Sequence, residues 1–149
     1  MKPRPDLVPS ANRKALEIIQ LTDEALPSSH IYMEAQIFTP DSKRLIIHRS
    51  AHPHGSDPRD PEHQFLLCNL EDNCSLTPIT TESGTTGPSI SPDGEYLYYF
   101  VDETETNGGR LTLKRVKLSG SDRETLFVLD HAIPDTSYRL SRPYPLSTI

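Results

Sequence analysis

An all-β fold assembled from repeated four-stranded units is what this sequence predicts, and three observations predict it. The first is a near-repeat: Phe38-Thr39-Pro40-Asp41-Ser42-Lys43-Arg44-Leu45-Ile46-Ile47 matches Ile90-Ser91-Pro92-Asp93-Gly94-Glu95-Tyr96-Leu97-Tyr98-Tyr99. Each copy runs from an apolar residue through Ser or Thr, Pro-Asp, a small residue and a charge into a strand-like run. The second is turn chemistry. Proline presets φ, aspartate bonds back to the backbone, and glycine tolerates positive φ, so the flanking runs pair as a hairpin. The third is spacing: Pro40 and Pro92 lie 52 residues apart, and two more strand-like runs follow each hairpin. Four short antiparallel strands in roughly 40–50 residues is the period of a β-propeller blade.

The elements follow in order. Residues 1–17 read as an N-terminal arm, loose over its first ten residues, three of which are prolines. An amphipathic helix over 10–21 competes there, because Ala11, Ala15, Ile18 and Ile19 could share a face. A partial propeller then occupies 18–149: blade 1 at about 30–80, blade 2 at about 86–129, and the start of blade 3 at about 138–149. Blade 1 has a loop at 50–62, a third strand at about 63–70 and a fourth at about 75–80. Blade 2 has a loop at 102–109, a third strand at about 110–118 and a fourth at about 124–129. Thr85-Thr86-Gly87 and Asn107-Gly108-Gly109 read as turns. Alternation puts Tyr96, Tyr98 and Phe100 on one face of their strand, with Leu97 and Tyr99 on the other. Both faces of a blade pack against neighbours, so both can be apolar. The residues 141–149 resemble the approach to a third innermost strand, and the sequence ends in mid-blade, an incomplete ring. Blade faces left open this way favour self-association.

Composition bounds the function. The chain has 149 residues, 34% hydrophobic and 24% charged, with a formal charge of −6. No run approaches the roughly 18 apolar residues of a membrane helix, so no membrane association is expected. No basic block marks nucleic acid as a partner. The first twenty residues lack the apolar stretch of a secretory signal, which makes the cytoplasm the expected location. Cys68 and Cys74 flank the Glu71-Asp72-Asn73 turn and could face each other across the hairpin, and reduced thiols are the expectation there. There is no Gly-x-Ser-x-Gly elbow, phosphate-cradling loop or Cys-x-x-Cys.

The Ser-Pro-Asp-Gly hairpin is common to Tol-system propellers, prolyl-peptidase propellers and several sugar-degrading enzymes, and identifies architecture alone. The front of the chain carries a more specific likeness: Leu21-Thr22-Asp23, His30-Ile31-Tyr32, Phe38-Thr39-Pro40-Asp41 and Leu45-Ile46-Ile47. This resembles the opening blade of oligogalacturonate lyases, which are seven-bladed propellers. The likeness continues through Leu70-Glu71, Ile79-Thr80, Ile90-Ser91-Pro92-Asp93 and the run 113–118. It implies β-elimination on an oligogalacturonate or other uronate oligosaccharide. A base would take the proton α to the uronate carboxylate while Mn2+ or another divalent cation neutralises that carboxylate. In that family the base and the metal-binding histidines lie in later blades. No segment here matches them, so no catalytic residue is carried over and these residues alone are expected to be inactive. A non-catalytic propeller that binds proteins or ligands is the alternative.

Two groups of side chains are candidates for a site. His48, His52, His54 and His63 fall within sixteen residues. His52, His54 and His63 could meet a divalent ion, although the spacing fits no closed zinc pattern and a solvated inter-strand loop needs no metal. His30 and Tyr32 precede an innermost strand, where the links between propeller blades cross the usual ligand face. Arg139 and Arg142 occupy the comparable approach to blade 3, and an arginine can hold a uronate carboxylate bidentately. Packing between blades for Tyr32, turn capping for His30 and plain surface charge for the arginines are the structural readings of the same residues.

Overall fold

The computed structural model describes residues 1–12, 15–31, 35–52, 59–104 and 109–131. A two-stranded ribbon of β1 (Lys2–Pro3) and β2 (Ile19–Gln20) precedes two four-stranded antiparallel sheets. The first sheet runs β3 (Ser28–Ser29), β4 (Arg44–Arg49), β5 (Gln64–Asn69), β6 (Ser75–Pro78). The second runs β7 (Thr85–Ile90), β8 (Tyr96–Glu103), β9 (Arg110–Lys117), β10 (Glu124–Leu129). Strands consecutive in sequence are neighbours in each sheet, which is the strand order of a propeller blade.

The repeated turns are built alike. In the first, the Thr39 hydroxyl donates to Asp41 Oδ1 (2.6 Å), which also accepts from the Lys43 amide (3.1 Å). The Thr39 amide donates to the Arg44 carbonyl at 2.9 Å. In the second, the Ser91 hydroxyl donates to Asp93 Oδ1 (2.5 Å), the Glu95 amide joins it (2.9 Å), and the Ser91 amide reaches the Tyr96 carbonyl (2.9 Å). These bonds to the ionised form hold both aspartates below the usual carboxylate range, the hydroxyl contributing most. Ser42 and Gly94 take the equivalent left-handed position, with φ of 57° and 74°.

The strands alternate as a buried sheet should. On β4 and β5, Ile46, Phe65 and Leu67 face the second sheet, where they join Ile90, Leu97, Tyr99, Val101 and Val116 in one core. Leu45, Ile47, Leu66 and Cys68 face the other way and are covered by Leu21, Leu70 and Leu76. Burying each such aliphatic or aromatic side chain stabilises by about 1.5–3 kcal/mol. Exposed pairs such as Lys43–Glu71 and Lys117–Asp122 lie in water, which screens their attraction. The core between the sheets therefore dominates. Tyr96, Tyr98 and Phe100 on the far side of the second sheet are half-buried, and Phe127 beyond them is 57% exposed.

Three expectations are corrected. Thr85-Thr86-Gly87 is not a turn but the start of β7. The two threonines pair with Val101 and Phe100, and Gly87-Pro88 form a bulge opposite Tyr99. Gly87, with φ of 60°, supplies the backbone freedom that the bulge needs. Residues 1–10 are not loose: Lys2 and Pro3 pair with Gln20 and Ile19, and the Arg4 amide donates to Ile18. Proline is tolerated in such a two-stranded edge, and Pro5 opens a 3-10 turn over Pro5–Leu7. The helix that competed over 10–21 is, among the described residues, only a 3-10 turn at Ser10–Asn12 followed by β2.

The innermost strand of the first sheet is interrupted at the same place as its counterpart, but more heavily. Ser28 and Ser29 pair with Arg49 and His48, whereas Phe38 bridges Leu45 and the Ile37 carbonyl accepts from the Ile46 amide. The pairing with β4 therefore lapses between Ser29 and Ile37, opposite Ile47. Ser29 to Thr86 is 57 residues while Pro40 to Pro92 is 52, so the first unit has five more residues between Ser29 and its Pro-Asp turn than the second has between Thr86 and its own. Gln36 is tied to the second sheet by the Ile90 amide, which donates to its carbonyl at 2.7 Å.

Candidate functional site

The polar chemistry of the molecule gathers along the seam between the two sheets. At one place, β4 and the residue before β5 bring His48 and His63 together, although they are 15 apart in sequence. His48 Nε2 lies 2.7 Å from His63 Nδ1, with the rings canted at 51° and their centroids 4.2 Å apart. Phe65 packs edge-on against His63. His63, 4% exposed, reaches across the seam with Nε2 2.8 Å from the carbonyl of Thr85, the first residue of β7. On the solvent side, the Ser29 hydroxyl is 3.2 Å from His48 Nδ1, and the Ser50 hydroxyl is 3.4 Å from both ring nitrogens.

The hydrogen-bond directions follow from the chain's end. A carbonyl only accepts, so His63 Nε2 carries a hydrogen and, in the neutral ring, Nδ1 is an acceptor. His48 Nε2 then donates to it, and His48 Nδ1 accepts from Ser29. The tautomers are thus assigned by the network. Beside it, Ser28 Oγ, Thr85 Oγ1 and Arg49 Nε are buried without a hydrogen-bond partner. The Arg49 guanidinium is paired with Glu24.

A second polar group spans the same seam. Glu82, in the link from β6 to β7, accepts from Lys114 Nζ at 2.8 Å and from Arg123 at 2.9 Å. The Tyr99 hydroxyl donates to the Glu82 carboxylate at 3.2 Å and accepts from Arg123 at 2.6 Å. Arg123 also donates to the Ile79 carbonyl at 2.9 Å. Burial alone would raise the Glu82 pKa, but the Lys114 bond, the Thr81 amide and Arg123 outweigh it and hold the carboxyl below its ordinary range. Burial, followed by the neighbouring Glu82 charge, pushes the Tyr99 phenol up to about 12. Two cations share the one carboxylate, and the phenol and the Ile79 carbonyl take up further donors, so the chemistry of this group is that of a clasp.

The residues singled out from sequence fare differently. His30 is exposed and directly follows β3, past its last pair with β4. Tyr32, His54, Arg139 and Arg142 lie outside the described residues. His52 is exposed, 3.9 Å from Asp60, while His63 is buried against His48. Among the described residues no three His, Cys, Asp or Glu side chains converge on a metal-sized point. Cys68 and Cys74 are buried free thiols, and burial together with Cys74 pushes Cys68 up to about 12.

Sequence reasoning missed the clasp, although one part of it was legible. Lys114 shares its face of β9 with Thr112 and Val116, both buried. A lysine at an inward position requires an anion, but nothing in the pattern names Glu82 as that anion.

No family model and no curated protein matches the sequence. In structure the chain is similar to the crystal structure of TolB from Acinetobacter baumannii. The likeness covers 72% of this chain and 23% of that one, at 18% identity and a TM-score of 0.48.

Proposed function

We propose that these residues form the first two blades of an oligogalacturonate lyase-like β-propeller that acts on uronate-containing oligosaccharides by β-elimination. The pair of alike Thr/Ser-Pro-Asp turns, each opening the same four-strand unit, supports the propeller frame, and the observation that carries the family reading within it is the sequence likeness at the front of the chain, Leu21-Thr22-Asp23, His30-Ile31-Tyr32 and Phe38-Thr39-Pro40-Asp41. In this reading the two blades are frame. They fix the spacing of the ring, and the base and cation are held by blades beyond them. The described residues do not fit the divalent cation of that chemistry, because no three ligands converge, and no step of the elimination is assigned to them.

The test uses the natural protein that contains this sequence. Its intact mass is expected to lie well above the 16.7 kDa of this chain. It is expected to convert digalacturonate to an unsaturated product, with loss of activity on chelation, while the 149 residues alone convert none. A natural protein that makes no unsaturated product with any divalent cation overturns the lyase reading. If it then binds digalacturonate without cleaving it, a propeller serving as a binding module takes its place.

A further inference from the structure

We propose that Cys68 and Cys74 form a peroxide-responsive dithiol: a peroxide that enters the cavity beside Cys74 oxidises that thiol, and Cys68 resolves it to a disulfide within the β5–β6 hairpin. The inference is independent of the lyase reading. Two observations carry it, a cavity that opens on one thiol and a second thiol packed with the first in the same core.

The hairpin places the pair. Cys68 lies on β5 opposite Leu76 of β6, and Cys74 enters just before β6 begins. Asn73 and Cys74 have φ of 48° and 59°. This left-handed corner returns the chain to β6 with Cys74 buried in the same apolar cluster as Cys68. Both are free thiols, 0% and 5% exposed. Cys74 bears on the Cys68 thiol as a neighbouring charge and as a hydrogen-bond partner.

A cavity of about 230 Å3 lies against Cys74, with Met1, Leu21, Asp23, Asn73 and Leu76 among its walls. Met1, Asp23 and Asn73 are exposed and form its rim, and Cys68 does not line it. A water molecule takes up about 30 Å3 of the liquid, so this space admits a peroxide and is too small for a tripeptide disulfide. Cavity size thus selects the oxidant, and burial sets the order of the two thiols. The thiolate is the reactive form, and Cys68, pushed up to about 12, stays protonated at neutral pH.

The chemistry balances with one peroxide. Cys74 Sγ attacks a peroxide oxygen; the S–O bond forms, the O–O bond breaks, and the departing oxygen leaves as water. The sulfenic acid then condenses with the second thiol. Cys68 Sγ attacks Cys74 Sγ, the S–S bond forms, and the hydroxyl departs with the Cys68 proton as a second water. Two thiols are oxidised and one peroxide is reduced.

The test treats the intact chain at neutral pH with hydrogen peroxide and follows it by mass spectrometry. The chain should lose two hydrogens, digestion without reduction should show Cys68 linked to Cys74, and dithiothreitol should reverse the link. Cys68→Ser should stop at a sulfenic acid on Cys74, trapped by a cyclic 1,3-diketone, and Cys74→Ser should leave Cys68 reduced. Oxidised glutathione should form the link at least about tenfold more slowly than peroxide, because access limits exchange. Oxidation of Cys68 in Cys74→Ser, a link between chains in place of the internal one, no reaction with peroxide, or glutathione acting as fast as peroxide each overturns the proposal. Should either variant fail to fold, alkylation of the unmodified native chain decides. Labelling of Cys74 at least about tenfold faster than Cys68 supports the proposal, and equal rates or the reverse order contradict it.

Discussion

Tyr99 places its hydroxyl between the carboxylate of Glu82 and the guanidinium of Arg123 while its ring is wholly buried between the sheets. Removing only the oxygen isolates the polar part of that role. Tyr99→Phe leaves Glu82 paired with Lys114 and Arg123 but deletes bonds to two charged groups, and should cost about 1.5–3 kcal/mol in urea unfolding. Glu82 makes the same point by pH. Its folded pKa lies below the ordinary value of 4.5, so its contribution is fully present above pH 4.5 and is lost as pH falls through the folded value. Glu82→Gln should therefore lower stability at neutral pH and flatten its decline below pH 4.5. An unchanged acid slope in the variant would remove Glu82 from the clasp.

Each hairpin turn is an element whose sequence carries its own geometry, and the two turns meet. A Cβ on Gly94 would come within 2.6 Å of the Pro40 ring, at a φ of 74°. Gly120 has a similar φ of 84° with open space around it. Gly120→Ala should thus cost only the left-handed penalty of about 1–2 kcal/mol. Gly94→Ala adds a clash with the first turn, and overpacking adds about 1–3 kcal/mol more. Equal losses in thermal unfolding would mean that the turns do not touch.

The same elements mark what could be read from the sequence. The Pro-Asp turns, the alternation of β8 and the strands β9 and β10 follow from local chemistry and a period of two, and the chain displays both. The lapse in pairing between Ser29 and Ile37 does not, because five added residues before the first Pro-Asp turn leave the flanking apolar pattern intact. Thr85-Thr86-Gly87 misleads for a related reason. Glycine marks a bulge as readily as a turn, and only the cross-strand partners Val101 and Phe100 distinguish them. His48 and His63 meet because β4 and β5 pair in one register, which the crowding of histidines in the sequence does not specify.

At the scale of the whole molecule, the two sheets are joined by more than the chain between them. Ile46, Phe65 and Leu67 share one core with Leu97, Tyr99 and Val116. Around it run the His63–Thr85 bond, the Glu82 clasp, the Gln36–Ile90 bond and the Pro40–Gly94 contact. A blade buries its faces only against neighbours, and here the first sheet is covered on both sides while the outer face of the second keeps Phe127 in solvent. The central claim is that the sheets are one cooperative body, packed as consecutive blades. Native-state hydrogen exchange tests it most directly. The amides of Ile46 and Leu66 in the first sheet, and of Leu97, Tyr99 and Val116 in the second, should share one opening free energy and one urea dependence. Separate opening free energies for the two sheets, each with its own urea dependence, would contradict the account.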